Sequence, residues 1–262
     1  TALHWNPGRI VAIESGGQVF HADQVISSLP LGPLVRMLRP EPPEPVRVAA
    51  RRLRYRDFLT VVLILQREEV FPDNWIYIHE PAVQVGRVQN YKNWSPEMVP
   101  DPATTSLGLE YFCFEGDGLW EKPDSDLIGQ GIRELTQIGL IRPEWVSGGV
   151  VLRVGKAYPI YDEYYAESVE TIREFVAGQL SNLQVIGRNG MHRYNNQDHS
   201  MLTGMLAARN VALNSGFDLW QVNADEDYHE TGPEITVEGL AALSGTQPAV
   251  PQRLAGHRDN LS

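Results

Sequence analysis

Gly187–Met201 reads GRNGMHRYNNQDHSM, and this short stretch concentrates glycine, arginine, histidine, asparagine, tyrosine and aspartate between two apolar segments. An apolar strand-like run, Leu183–Ile186, leads into it. Met201, Leu202, Met205 and Leu206 mark an apolar helix leaving it. A strand followed by Gly187 and Gly190, with Asp198 at a helix start, presents backbone N–H groups and a helix N-terminus to an anion. Glycine at both positions lets a ligand approach the backbone with no Cβ between them. Asp198 or Asn196 is a natural N-cap. The same residues equally describe a capped connection whose polar side chains satisfy their own backbone.

Other groups could also carry chemistry. Arg47, Arg51, Arg52, Arg54 and Arg56 form a basic cluster whose guanidinium forks suit phosphate oxygens. A solvated helix face is the simpler reading for all but Arg56, which stands at the start of an apolar strand. Tyr77, Tyr91, Trp94, Tyr111, Phe112, Phe114 and Trp120 are core candidates by their strand context. Interleaved with Arg87 and Lys92, some of them could instead line a cavity for a ring-shaped ligand. His192 and His199, seven apart, lack metal-site spacing, and a structural or capping role is the simpler one. No GxSxG or P-loop occurs. The GQG at Gly129–Gly131 lies inside a helical pattern rather than after a strand, so it fails the test for a dinucleotide fingerprint.

The elements that must position these residues follow from periodicity. Arg9–Ser15 and Gln18–Ser28 are β-like runs joined at Gly16–Gly17. A short helical stretch, Leu34–Leu38, precedes a proline-rich turn at Pro40–Pro45. Val46–Leu53 is helical and basic, and Phe58–Leu65 reads as a strand buried on both faces. Trp75–His79, Gln84–Tyr91, Ser106–Phe114 and Val150–Val154 are further strands of a mostly antiparallel sheet. Two amphipathic helices follow, one marked by Leu127, Ile128, Ile132, Leu135 and Ile138. The other is marked by Tyr161, Tyr165, Val169, Ile172, Val176 and Leu180.

Composition narrows the function classes. The chain has 262 residues and a formal net charge of −11, which argues against nucleic acid as the main partner. That charge is uneven: residues 1–60 hold eight Arg and five acids, so the excess of acid lies downstream. The single cysteine, Cys113, leaves no internal disulfide and points to a reducing, cytoplasmic setting. No apolar run approaches the ~20 residues of a membrane span, and no signal peptide is legible. Thr1 followed at once by a strand pattern reads as a chain cut from a longer one.

GRNGMHRYNNQDHS resembles the flavin-contacting motif of UDP-galactopyranose mutases, roughly GR-x-G-x-Y-x-Y-x-D-M-D. LRYRDF (Leu53–Phe58), VGRVQNYKNW (Val85–Trp94) and LEYFCF (Leu109–Phe114) are similar to that family's strands, in the same order across residues 9–230. ADQVISSLP resembles the strand and turn approaching the cofactor in the wider flavin amine oxidase and protoporphyrinogen-oxidase-like superfamily. The chain departs from the mutase pattern at His192, in place of a tyrosine, and at Asn196–Gln197, in place of Asp-Met.

The resemblance implies an α+β fold: a mostly antiparallel substrate-domain sheet with packed helices, plus the C-terminal section of a Rossmann-like FAD domain whose N-terminal half is missing. It divides the chain into an FAD-domain remnant (1–45), a substrate domain (46–157), a helix returning to the FAD domain (158–230) and a weakly structured tail (231–262). It implies FAD as cofactor, contacted by Gly187, Arg188, Gly190, Asn196, Asp198 and His199. Arg56, Arg87, Tyr111 and Tyr194 would meet a small-molecule substrate. The implied activity is that of an FAD-dependent oxidoreductase partnered by the missing N-terminal segment. A mutase-like isomerase, or an isolated domain without FAD, stands as the alternative.

Overall fold

A computed structural model describes residues 1–223, and within them the chain is a mixed α+β protein. The tail at 231–262 and the end of the 158–230 stretch lie outside the described residues. Strands β1 (Ala2–Asn6), β2 (Arg9–Ser15) and β3 (Gln18–His21) form an antiparallel meander. β4 (Val25–Ser27) leads through Pro30 to helix α1 (Leu31–Arg36). β5 (Leu38–Arg39) then pairs in parallel with β1, and helix α2 (Glu44–Arg52) follows, started by Pro43 and Pro45.

The excursion that follows builds a second sheet. It contains β6 (Tyr55–Leu65), β7 (Trp75–Tyr77), β8 (Arg87–Asn90), a single helical turn α3 (Tyr91–Trp94) and β9 (Thr105–Cys113). Helix α4 (Asp124–Gln137) and the long strand β10 (Val146–Pro159) complete it. The strand order is β10-β6-β9-β8-β7 and every pairing is antiparallel. Helix α5 (Tyr165–Gln179) returns the chain to the first core, and β11 (Leu183–Val185) pairs in parallel with β4. A helical turn α6 (Gly187–Gly190) and helix α7 (Gln197–Leu213) close the described chain.

Two apolar clusters result. One joins Leu3, Ile10, Leu34, Leu38 and Ala50 to Ile172, Leu180, Val185 and Leu206. The other sits between the five-stranded sheet and α4 and includes Leu59, Leu63, Leu107, Leu109, Leu127 and Leu135. Each such leucine contributes about 2 kcal/mol on burial.

The structure differs from the sequence expectations in several places. α2 packs into the first cluster through Val46, Ala49 and Ala50 rather than against the five-stranded sheet. The run Gln18–Ser28 splits into β3 and β4, which join different sheets. β6 is covered by a helix on one face only, because α4 lies on one side of its sheet. Leu59, Val61, Leu63 and Leu65 lie beneath the helix, while Ile64 on the other side is 39% exposed. The helix expected from Tyr161 starts at Tyr165, where Asp162 accepts the N–H groups of Tyr164 and Tyr165. The arginines of α2 are ion-paired at the surface: Arg47 with Glu41 and Glu44, Arg51 with Glu44, Arg52 with Glu167. Such pairs are worth up to about 1 kcal/mol each, and these arginines are taken up by carboxylates of the chain itself. Among the described residues no helix is long and apolar enough to cross a membrane.

Candidate functional site

The face of the five-stranded sheet away from α4 gathers polar and aromatic side chains in register. Opposed residues of antiparallel strands point to the same side, so register alone lines up Leu152, Thr60, Glu110, Arg87 and Tyr77 in one row across all five strands. The next row is Val150, Val62, Gly108, Gln89 and Trp75. On the other flank stand Val154, Phe58 and Phe112.

At the β8 end of the row, Arg87 donates through Nε to Glu110 Oε2. Gln89 donates to the other carboxylate oxygen at 2.7 Å, and Trp94 Nε1 donates to Gln89 at 3.0 Å. Glu110 is buried, and both of its carboxylate oxygens accept from these donors. Burial works against the Arg87 charge, but the hydrogen bond and charge of Glu110 outweigh it and raise its pKa. The Trp75 and Tyr77 rings flank the guanidinium at 5.6 and 5.9 Å.

A bulge in β10 links this face to the Gly187 loop. Between Val154 and Tyr158 the register with β6 shifts, and Lys156 adopts φ 57°. The buried Asp57 carboxylate fixes the bulge by accepting the N–H of Lys156 at 2.6 Å and of Glu115 at 2.5 Å. Tyr158 is thereby turned onto the open face, 6.0 Å from both Phe58 and Phe112. Tyr194 stacks on Tyr158 at 5.8 Å with an interplanar angle of 16°. Arg188 lies against both rings, at 4.9 and 4.8 Å. Its Nε donates to Asn195 O and one terminal nitrogen to Ala157 O, while Asn189 donates to Lys156 O.

The Gly187 loop itself leaves the carboxyl ends of the parallel strands β4 and β11, the edge where open α/β sheets place ligands. Gly187 has φ +72°, a conformation that favours glycine. Gly190 corrects the expectation of a ligand-facing cradle. A Cβ there would stand 2.8 Å from Ser27 O, so the space is taken by the turn after β4. Asn196 caps α7 in a reciprocal box with His199, whose Nδ1 accepts the Asn196 N–H at 3.3 Å. Asp198 sits in the first turn with its carboxylate exposed, so this helix start already carries negative charge. Asn196, Asp198 and His199 therefore serve the helix, and Arg188 is the member of the motif that enters the aromatic cluster.

Among the four residues expected to meet substrate, Arg87 and Tyr194 come together at the cluster, and burial raises the Tyr194 pKa. Arg56 joins its margin, with its guanidinium 5.2 Å from the Phe114 ring. Tyr111 does not. It alternates with Glu110 to the opposite face, is 1% exposed, and donates to Glu134 Oε2 at 3.0 Å beneath α4. Burial and the Glu134 charge push its pKa well above the usual phenol range. Its substrate role is withdrawn, and Tyr111→Phe is expected to lower stability by about 1–2 kcal/mol. Urea unfolding measures that loss, and ligand affinity should be unchanged. Tyr158, Glu110, Asp57 and Asn189 build or support this cluster and are not picked out by the sequence pattern, although the strict alternation of LEYFCF carries a signal for Glu110.

The molecule is thus a mixed α+β protein with an arginine and tyrosine cluster between an antiparallel sheet and the ends of a parallel strand pair. The family follows from comparison. Residues 1–150 match the family model for flavin containing amine oxidoreductases, and the chain belongs to that family. A reduced UDP-galactopyranose mutase shares the fold with TM-score 0.72 and 23% identity over 84% of this chain and 48% of that one. A protein from Exiguobacterium sp. 255-15 named for protoporphyrinogen oxidase aligns with TM-score 0.57 and 18% identity over 73% and 44%. A putrescine oxidase redesigned in its cofactor binding aligns with TM-score 0.58 and 12% identity over 82% and 48%. The chain thus spans about half the length of these structures. Comparison with curated proteins returns no match.

Proposed function

We propose that the chain is the substrate-binding and cofactor-closing portion of an FAD-dependent oxidoreductase acting on a small molecule. The observation that carries this reading is the continuity of the site. The Arg87–Glu110 row, the Tyr158–Tyr194 stack and Arg188 form one cluster at the carboxyl ends of β4 and β11. The donor set fits a flavin. Arg188 uses two of its five N–H groups on backbone carbonyls and keeps the rest for an anionic or carbonyl oxygen. The flanking tyrosines offer flat apolar surface to a ring. When bound, FAD would supply the redox chemistry.

The protein's own contribution is positioning. Arg188 and the Gly187 turn would hold the cofactor's polar edge, with Gly190 and the α7 cap keeping that turn rigid. Arg87, locked by Glu110, would orient the substrate, while Phe58, Phe112 and Tyr158 exclude water from its reacting part. A Rossmann-like nucleotide-binding segment outside these residues would complete the FAD domain on the β4–β11 pair, as the family membership and the half-length coverage suggest.

The fold likeness to UDP-galactopyranose mutase, the highest TM-score among the three structures, favours a second reading. In that reading the site isomerises a sugar nucleotide with no net oxidation, and Arg87 and Tyr194 meet its diphosphate. Turnover of a UDP-sugar only after reduction of the bound flavin would select it over the oxidoreductase.

The test of the first reading is visible absorbance. The purified chain, mixed with FAD and freed of excess by gel filtration, is expected to retain flavin absorbance in proportion to protein. A sample that elutes colourless would identify a domain without cofactor and overturn the proposal for this chain.

A further inference from the structure

The open sheet face has two unlike ends. At the β8–β7 end stand Arg87, Glu110, Gln89 and the Trp75 and Tyr77 rings. At the β10 end Val150, Leu152 and Val154 are 52%, 53% and 48% exposed, aligned by register with Val62, Thr60 and Phe58. Three aliphatic side chains half-exposed in adjacent register on one face form a continuous apolar strip rather than scattered surface residues. Five strands about 4.8 Å apart make this path about 19 Å from β10 to β7. Charge runs against the rest of the chain. On a molecule of net charge −11, this face gathers Arg56, Arg87 and Arg188, with the buried Glu110 carboxylate bound to Arg87.

Resting on the reading that this face receives the substrate, we infer that the substrate class is an amphiphilic anion. A carboxylate or phosphate head would be held at Arg87, and an extended apolar body would lie along Phe58, Phe112, Val154 and Leu152. Glu110 gives this arrangement direction. It binds Arg87 through Nε, and Tyr77 meets the guanidinium as well, so the side chain is held in one orientation while its charge faces the head group. Gln89 holds the second oxygen of Glu110, which keeps that carboxylate from competing with the head group. An apolar ligand without charge would leave Arg87 unused, and a small polar anion would leave the β10 strip in water.

Calorimetric titration of the full 262-residue chain with dodecanoate, dodecyl phosphate and 1-dodecanol tests the inference. At least one of the two anions is expected to bind roughly tenfold or more tightly than the alcohol, with a negative heat-capacity change. The stronger of the two anions identifies the head group. Arg87→Met should remove that preference while leaving the alcohol unchanged, and Leu152→Asn should weaken all three. Because Arg87→Met strands a buried carboxylate, the double variant Arg87→Gln/Glu110→Gln serves as its folded counterpart and should give the same loss.

Equal affinity for anion and alcohol, anion binding untouched by the double variant, or no binding at all would overturn the inference. So would concentration-dependent self-association abolished by Leu152→Asn, which would make the strip a contact between copies. FAD absorbance is read separately on the same sample. A chain that holds FAD but no amphiphile loses this inference and keeps the flavin reading, and the converse result does the reverse.

Discussion

Replacing Asp57 with alanine is expected to cost the fold about 4 kcal/mol, because two hydrogen bonds from backbone N–H groups to a buried carboxylate disappear together. The Glu115 and Lys156 N–H groups would then be left without their acceptor at the bulge of β10. Against a typical total of about 5–15 kcal/mol, that is a large fraction of stability. The loss also travels. Lys156 O accepts from Asn189, and Ala157 O accepts from Arg188, so a relaxed bulge frees the α6 turn and moves Tyr158 off Phe58 and Phe112. Asp57→Asn keeps one acceptor and should cost about half as much. Urea unfolding followed by far-UV circular dichroism reads both variants. A loss below about 1 kcal/mol for the alanine variant would mean that the bulge holds without the carboxylate.

The second large effect is acid sensitivity through His192. This residue is completely buried, has φ 48°, and lies edge-on to Tyr55 at 4.6 Å. Neither ring nitrogen makes a hydrogen bond of good geometry among the described residues, and the Ile160 backbone offers a weak contact only. Burial pulls its pKa from 6.5 down to about 4, against smaller opposing pulls from the Ile160 backbone and Asp162. The neutral ring is therefore the form that the fold accepts, while the unfolded chain takes up its proton near pH 6.5. The contribution is full above that pH and is lost progressively as the pH falls towards about 4. At about 1.4 kcal/mol per pH unit, the loss across that window is about 3 kcal/mol. His192→Phe, which keeps a ring and cannot titrate, should flatten the stability profile between those limits. Parallel profiles for the two proteins, measured by urea midpoint against pH, would contradict this account.

Much of the sheet was legible because its strands obey period two. Ser106–Phe114 was expected and Thr105–Cys113 is found, and Trp75–His79 shortens to Trp75–Tyr77. The helix marked by Leu127, Leu135 and their neighbours is found as Asp124–Gln137. The α+β class and the flavin amine oxidoreductase family followed from the order of short motifs. The open face of β6 was not legible, because a continuous apolar run gives no sign of how many helices will cover it. Nor was Tyr158, which reaches the site only through an irregular stretch of β10 fixed by Asp57 on another strand.

Strand alternation alone places Tyr111 on the face away from Arg87. Glu110 and Tyr111 are adjacent in a strand and cannot share a face, so a site built on Arg87 selects its register partner Glu110. The Gly187–Met201 motif contained both of its readings at once. Asn196, His199 and Gly190 make a capped, close-packed turn, and that turn delivers Arg188 to the tyrosines.

The central claim is that Arg188, lying against the stacked Tyr158 and Tyr194 rings, faces a bound flavin. Its most direct test is an FAD titration of the chain and of Arg188→Met, followed by quenching of flavin fluorescence at matched thermal stability. The account predicts saturable quenching for the chain and a dissociation constant weakened roughly tenfold or more in the variant. Equal binding by both proteins, or no quenching by either, would contradict it.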